Sequence, residues 1–340
     1  MLKSCEIDFN NPPAKAQEII SAGDVPLGTQ GNLFGITGGE GTGKSNYVAA
    51  IVAGCICPAG AEVDTLGVQI TANGRHKAVL LYDTEQSEVQ LFKNVSNLLA
   101  RAKQPDKPDE LKAFCLTGMS RKERLNAIVQ SMDKFYYQYG GIQLVVIDGI
   151  ADLVKSANDE AESVAVIDEL YRLAGIYNTC ILCVLHFVPN GLKLRGHLGS
   201  ELQRKAATIL SIEKDDEPAQ SVVKALKVRD GSPLDVPLML FAWDKEAGMH
   251  VYKGEKPREE KEKRKERELV NVARDIFGRQ TRITYIDLCE QLQQVLDIKE
   301  RTAKSYIRFM RERDIITKDT ANQSCFVIGS YNLRWNTGCP

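Results

Sequence analysis

Eight consecutive residues restrict this chain more than any others: Gly38, Gly39, Glu40, Gly41, Thr42, Gly43, Lys44 and Ser45 spell G-x-x-x-x-G-K-[ST] in full. The glycines let the backbone curl until its N–H groups converge. A helix starting there adds its positive end, so the turn is shaped for phosphate oxygens. Such a turn needs an apolar strand ahead of it and a helix behind it, and NLFGIT and KSNYVAAIVAGCI supply both. Lys44 can reach β- and γ-phosphates, and the Ser45 hydroxyl can ligate magnesium. ATP with Mg2+ is therefore the expected ligand, and its hydrolysis the expected reaction.

The alternation of strand and helix continues downstream. AVLLYDTEQ (78–86), AFCLTG (113–118), IQLVVIDG (142–149) and CILCVLHF (180–187) read as strands, with amphipathic segments between them. Nearly continuous β-branched runs separated by helices indicate a parallel sheet covered on both faces. After residue 205 the period shortens, and ATILSIEKD, SVVKALKVRD and LMLFAW read as strands that extend the sheet as antiparallel members. The expected organisation is a polar arm (1–30), an α/β core (31–252), a charged linker or helix start (253–268, KGEKPREEKEKRKERE) and a small second domain (269–340).

A metal-bound phosphate needs a carboxylate at the end of a neighbouring strand, and Asp148 closes LVVID. Hydrolysis also needs a base for water. Glu85 follows directly from the second strand and is the candidate. Asp83 is its nearest competitor, because residues two apart on an extended strand end share a face. The alternative role for Glu85 is a carboxylate that favours the dipole of the next helix.

With these residues in place the chain resembles the RecA-like ATPases, and within them the replicative-helicase branch typified by DnaB and plasmid RepA proteins. The likeness rests on the loop 38–45, Glu85, Asp148 and the segment Lys227, Val228, Arg229, Asp230, Gly231, which resembles the K-x-R motif near the end of that core. It covers about residues 30–250. The resemblance implies that Lys227 and Arg229 reach the γ-phosphate held by a neighbouring subunit, so that turnover depends on assembly. The alternative is that both are solvent-facing residues of an alternating strand. It also implies a γ-phosphate sensor at His186, followed by a DNA-facing loop within VLHFVPNGLKLRGHLGSELQRKA (184–206). Lys193, Arg195 and His197 make that loop basic, which suits phosphate contacts in a ring channel. A strand-end histidine and a plain exposed loop are the alternatives. Only about 30 residues precede the core where many DnaB-type helicases carry a helical domain, and the C-terminal domain is foreign to the bacterial replicative plan. Both departures point to a plasmid- or mobile-element-type protein.

Beyond the charged stretch, ELVNVARDIF, YIDLCEQLQQVL and ERTAKSYIRFMRERDII read as three helices and KDTANQSCFVIG as a turn and strand, a winged-helix pattern. Its third helix would enter the major groove of DNA, with Arg301, Lys304, Ser305, Arg308 and Arg311 outward and Ala303, Tyr306, Ile307 and Met310 inward. A protein-binding face is the alternative. From Lys256 onward 18 Lys and Arg stand against 13 Asp and Glu, whereas the preceding residues carry 26 against 32. A basic tail on an acidic body is compatible with DNA contact.

No apolar run reaches 18 residues and no basic segment precedes an apolar one at the N-terminus, so neither a membrane span nor a signal peptide is expected. Nine cysteines without regular spacing, several inside apolar runs, suit reduced thiols in a cytoplasm. Cys180 and Cys183 lie three apart on a strand, which sends them to opposite faces and suits no metal. The expected protein is a homo-oligomer, hexameric by its resemblance, with single-stranded DNA in a ring channel and duplex at its tail. It would act as a DNA-dependent, helicase-type ATPase in the replication or mobilisation of a plasmid or mobile element. The alternative is a regulatory or loader ATPase in which ATP switches assembly without translocation.

Overall fold

The computed structural model describes residues 6–186, 196–215, 217, 219–257, 261–278, 280–320 and 322–329. The chain divides into two compact units, Met1–Lys256 and Pro257–Pro340. In the first, β1 (Glu18–Ala22) and β2 (Val25–Thr29) form a hairpin that β4 (Gln69–Ile70) joins as a third strand. Among the described residues the main sheet has nine strands: β3 (Leu33–Gly38), β5 (Ala78–Asp83), β6 (Leu111–Cys115), β7 (Ile142–Asp148), β8 (Cys180–His186), β9 (Thr208–Lys214), β10 (Gln220–Val228), β11 (Leu238–Asp244) and β12 (Met249–Lys256). Across the sheet they run β6-β5-β7-β8-β3-β9-β10-β11-β12. From β6 to β9 every pairing is parallel, and β10, β11 and β12 extend the sheet antiparallel.

Helices cover both faces, which is why β3, β5 and β7 are buried at every position. On one face α1 (Lys44–Ile56) and α2 (Glu88–Arg101) pack with the small sheet; on the other lie α3 (Arg121–Tyr139), α4 (Glu160–Ile176) and α5 (Gly196–Lys205). Cys180 belongs to the first core and Cys183 to the second, as their spacing on a strand requires. Leu144, Val145, Val146 and Ile147 of β7 are fully buried. Each such side chain is worth about 1.5–3 kcal/mol, so the strand that presents Asp148 is held firmly.

All the parallel strands end at one sheet edge, where ligands of such sheets bind. Register brings Asp83 opposite Asp148, and Gly38 opposite both His186 and Ile212.

Three stretches differ from their sequence reading. Residues 18–29, polar-arm residues by sequence, form β1 and β2. Ile19, Ile20 and Leu27 are buried there, but each strand has only five residues and is too short for a legible period. The charged stretch 253–268 is divided, its first four residues ending β12 and its last eight lying in α6 (Lys261–Phe277). Residues 196–205, read as part of a loop, form α5. Its Leu198 and Leu202 are one turn apart and fully buried, while Gly196 and Gly199 disguise the period.

The second unit contains α6, α7 (Tyr285–Leu296) and α8 (Glu300–Glu312), with β13 (Ile283–Thr284), β14 (Ile316–Lys318) and β15 (Cys325–Ile328) paired antiparallel in the order β13-β15-β14. Its core holds Leu269, Ala273, Leu288, Leu292, Ile307 and Phe326. On α8, Ala303, Ile307 and Met310 are buried, whereas Arg301, Lys304, Arg308 and Arg311 are exposed. No helix among the described residues is long and apolar enough to cross a membrane.

Candidate functional site

Where β3 gives way to α1, the sheet edge opens into a cavity of about 310 Å³ lined by Gly43, Lys44 and Ser45, by Asp148 and His186 at the ends of β7 and β8, and by Glu85. Gly43 caps α1 with φ +93°, and a Cβ there would meet the Phe241 ring at 2.9 Å. Glycine is required both for that backbone and for that space. Thr42 Oγ1 donates to the Gly39 carbonyl at 3.0 Å and braces the loop. The first turn of α1 carries no acidic residue and no side-chain cap, so its N–H groups are left for an anionic ligand.

Lys44 is only 7% exposed; its Nζ donates to the carbonyls of Gly38 at 3.0 Å and Gly39 at 2.7 Å, and lies 3.2 Å from His186 Nδ1. Burial lowers its pKa, against the opposing pull of Asp148, Glu85 and Glu40. Asp148 is buried, and its pKa is pushed up to about 7, first by burial and then by the charges of Asp83 and Glu85. A buried carboxylate so disfavoured as an anion is relieved by a nearby cation. Among the described residues no group of three or more His, Cys, Asp or Glu side chains makes a metal centre. Ser45 and Asp148 fit magnesium instead, which is held by one or two protein oxygens and completed by phosphate and water.

Asp83 and Glu85 occupy different places. Asp83 is 2% exposed, and its Oδ1 accepts the backbone N–H groups of Glu85 at 3.0 Å and Gln86 at 2.8 Å. It holds the turn between β5 and α2. Glu85 faces the cavity, its Oε2 3.4 Å from His186 Nε2, and sits ahead of Ser87, the cap of α2.

Two further residues fix Glu85, and sequence reasoning passed over both. Thr84 Oγ1 donates to the carbonyls of Asp148 at 3.1 Å and Gly149 at 2.8 Å, which ties the end of β5 to that of β7. Gly149 has φ +96°, and a Cβ on it would lie 2.7 Å from Glu85 Cγ. The signal available was the Asp-Gly pair closing an apolar strand.

Lys227 and Arg229 lie elsewhere. Val228 pairs with Thr208, whereas Gly38 pairs with Ile212, so the two cations sit at the opposite sheet edge, four residues or about 13 Å along β9. Lys227 Nζ donates to the carbonyls of Gln203 at 2.7 Å and Arg204 at 3.1 Å, and Arg229 Nη2 to that of Lys205 at 2.9 Å. Both therefore bind the C-terminal turn of α5, where a helix dipole favours cations. Lys193 and Arg195 lie outside the described residues, and His197 is exposed in the first turn of α5. In the second unit Lys304 pairs with Glu300 at 2.7 Å and Arg308 with Glu312 at 2.9 Å. Exposed pairs of this kind add little to stability and leave the cations accessible.

A family model of the AAA domain matches residues 1–190, more than half of the chain. The chain belongs to the AAA domain family. The match takes in the phosphate loop, Glu85, Asp148 and His186, and with them the ATPase character of the family. It stops short of Lys227, Arg229 and the second unit. No curated protein matches the chain.

Proposed function

We propose that this AAA domain chain is a ring-forming, DNA-dependent ATPase of helicase type acting on a plasmid or mobile element, its ATP site completed by Lys227 and Arg229 of a neighbouring copy. The observation that carries this reading is the separation of those two cations from the phosphate loop of their own chain. At the opposite sheet edge they lie away from their own γ-phosphate site, as cations acting on another copy's site would have to. The mainly parallel sheet with its antiparallel extension supports the RecA-type core.

In the reaction a water oxygen attacks the γ-phosphorus in line while the bond to the β–γ bridging oxygen breaks, giving ADP and phosphate. Lys44 and the loop amides hold the β- and γ-oxygens. Glu85 takes the proton of the attacking water, and Thr84 and Gly149 keep that carboxylate at the cavity. Magnesium, held by Ser45 and Asp148, would offset charge on the phosphate oxygens. The second unit supports a winged-helix reading in which Arg301, Lys304 and Arg308 meet duplex DNA. Lys193 and Arg195, which follow His186 in the chain, are assigned to single-stranded DNA.

A second reading is favoured by one contact. Because Lys227 and Arg229 hold the end of α5 within their own chain, assembly has to loosen that end. ATP then acts as an assembly switch for a loader without translocation. Unwinding of a forked duplex, measured with ATP turnover, separates the two. Displacement of the strand supports the helicase, and DNA-stimulated turnover without displacement supports the switch. Turnover indifferent to DNA contradicts both.

A further inference from the structure

The cavity extends past the phosphate loop. Across β3 from Asp148 and Glu85, its wall includes His250 of β12, beside Glu40, Gly41 and Gly43. His250 pairs across the strands with Trp243 of β11, and Phe241, two residues earlier on the same face, underlies Gly43. The His250 ring meets Trp243 edge-on at 5.5 Å and Phe241 at 5.7 Å. One face of the β11–β12 hairpin thus carries aromatic rings from beneath the phosphate loop outward. Trp243 remains 54% exposed.

His250 also carries an unmet polar atom. Its Nδ1 is buried and has no hydrogen-bond partner among the described residues. Burial first, then Arg101 and Lys214, lowers its pKa, so the ring stays neutral at physiological pH. A neutral imidazole offers one donor, one acceptor and a flat π surface. None of the groups assigned to phosphate, metal or water uses it.

We propose that His250, backed by Trp243, is the nucleobase platform of this site and takes a purine ring. The proposal rests on the reading that Gly38–Ser45 holds the phosphates of ATP. With the γ-phosphate end fixed by Glu85, Asp148 and His186 on one side of β3, the other side of the cavity is left for the nucleoside. The His250 ring at the cavity wall, with Trp243 against it, supplies a surface for stacking.

Calorimetric titration of the full chain with ATP and with inorganic triphosphate, each with magnesium, tests this. The wild type is expected to bind both, ATP more tightly. His250→Ala is expected to weaken ATP by about tenfold or more, the scale of losing one base–aromatic stack, and to leave triphosphate affinity unchanged. Trp243→Ala, at a half-exposed position, is expected to shift in the same direction. His250→Phe restores the stack and is expected to recover most of the ATP affinity. Equal loss of ATP and triphosphate in both alanine variants overturns the platform, as does unchanged ATP affinity. Wild type binding triphosphate as tightly as ATP also overturns it while leaving the phosphate loop intact. Wild type binding neither overturns the phosphate-loop reading along with it.

Discussion

Nζ of Lys44 stands 3.2 Å from Nδ1 of His186. An ammonium only donates, so Nδ1 accepts and the ring proton sits on Nε2, which faces Glu85 Oε2 at 3.4 Å. One imidazole therefore joins the phosphate-binding cation to the candidate base. A phosphate oxygen arriving at Lys44 competes for the same ammonium protons and changes what His186 offers Glu85.

The joint requires an acceptor and a donor in one side chain. His186→Gln keeps both and is expected to retain more turnover than His186→Ala, which keeps neither. Comparison of kcat at saturating ATP checks this, and equal losses would count against the connection.

The two carboxylates near the end of β5 are expected to fail differently. Glu85→Gln should bind ATP and hydrolyse it about a hundredfold more slowly or worse, the scale of losing a general base. Asp83→Asn weakens the cap on the Glu85 and Gln86 N–H groups, so its first effect is on thermal stability. A hundredfold loss of kcat in Asp83→Asn with none in Glu85→Gln would reverse the assignment.

Gly149→Ala places a methyl against Glu85 on a backbone with φ +96°. The strain should lower stability by about 1–3 kcal/mol. Displacement of Glu85 should lower kcat while ATP affinity, set by the loop after β3, is kept. Denaturant unfolding and ATP titration together check the split.

The strands β5, β7 and β8 and the phosphate turn were legible because each is a local pattern: a continuous apolar run, or a turn with glycines at fixed offsets. The turn also names its own chemistry, so Lys44 and Ser45 needed no tertiary information. What the sequence did not carry is register. Nothing in ALKVRD says that Val228 will pair with Thr208 and so set Lys227 and Arg229 at the far edge, against the end of α5. The roles of Thr84 and Gly149 likewise exist only once β5 and β7 lie side by side. His250 sits on the last strand of the sheet, more than 200 residues after Gly43, and only the packing of Phe241 under that glycine brings the two together.

Asp148 makes a pH dependence. Its folded pKa of about 7 lies above the ordinary 3.8. Between those values the folded state holds more protons than the unfolded one, so stability present below pH 3.8 is lost as pH rises to about 7. The loss amounts to up to about 4 kcal/mol. Asp148→Asn escapes it, and is expected to exceed the wild type in stability at pH 8, by a margin that shrinks toward pH 4, while losing turnover. Urea unfolding at several pH values checks the sign; a margin independent of pH would contradict the burial of that charge.

The claim that the ATP site is completed by a neighbouring copy is tested most directly by mixing two inactive proteins. Lys44→Ala lacks a working phosphate loop but keeps Arg229; Arg229→Ala has the opposite defect. Each alone is expected to be nearly inactive, since losing such a cation costs about three to five orders of magnitude in phosphoryl transfer. A mixed assembly contains some interfaces where an intact loop faces an intact Arg229. ATP turnover of the mixture, with subunit exchange verified by energy transfer between labelled variants, is the measurement. Partial rescue that rises with total protein concentration is the expected result. No rescue in a mixture that exchanges subunits contradicts the neighbour-completed site.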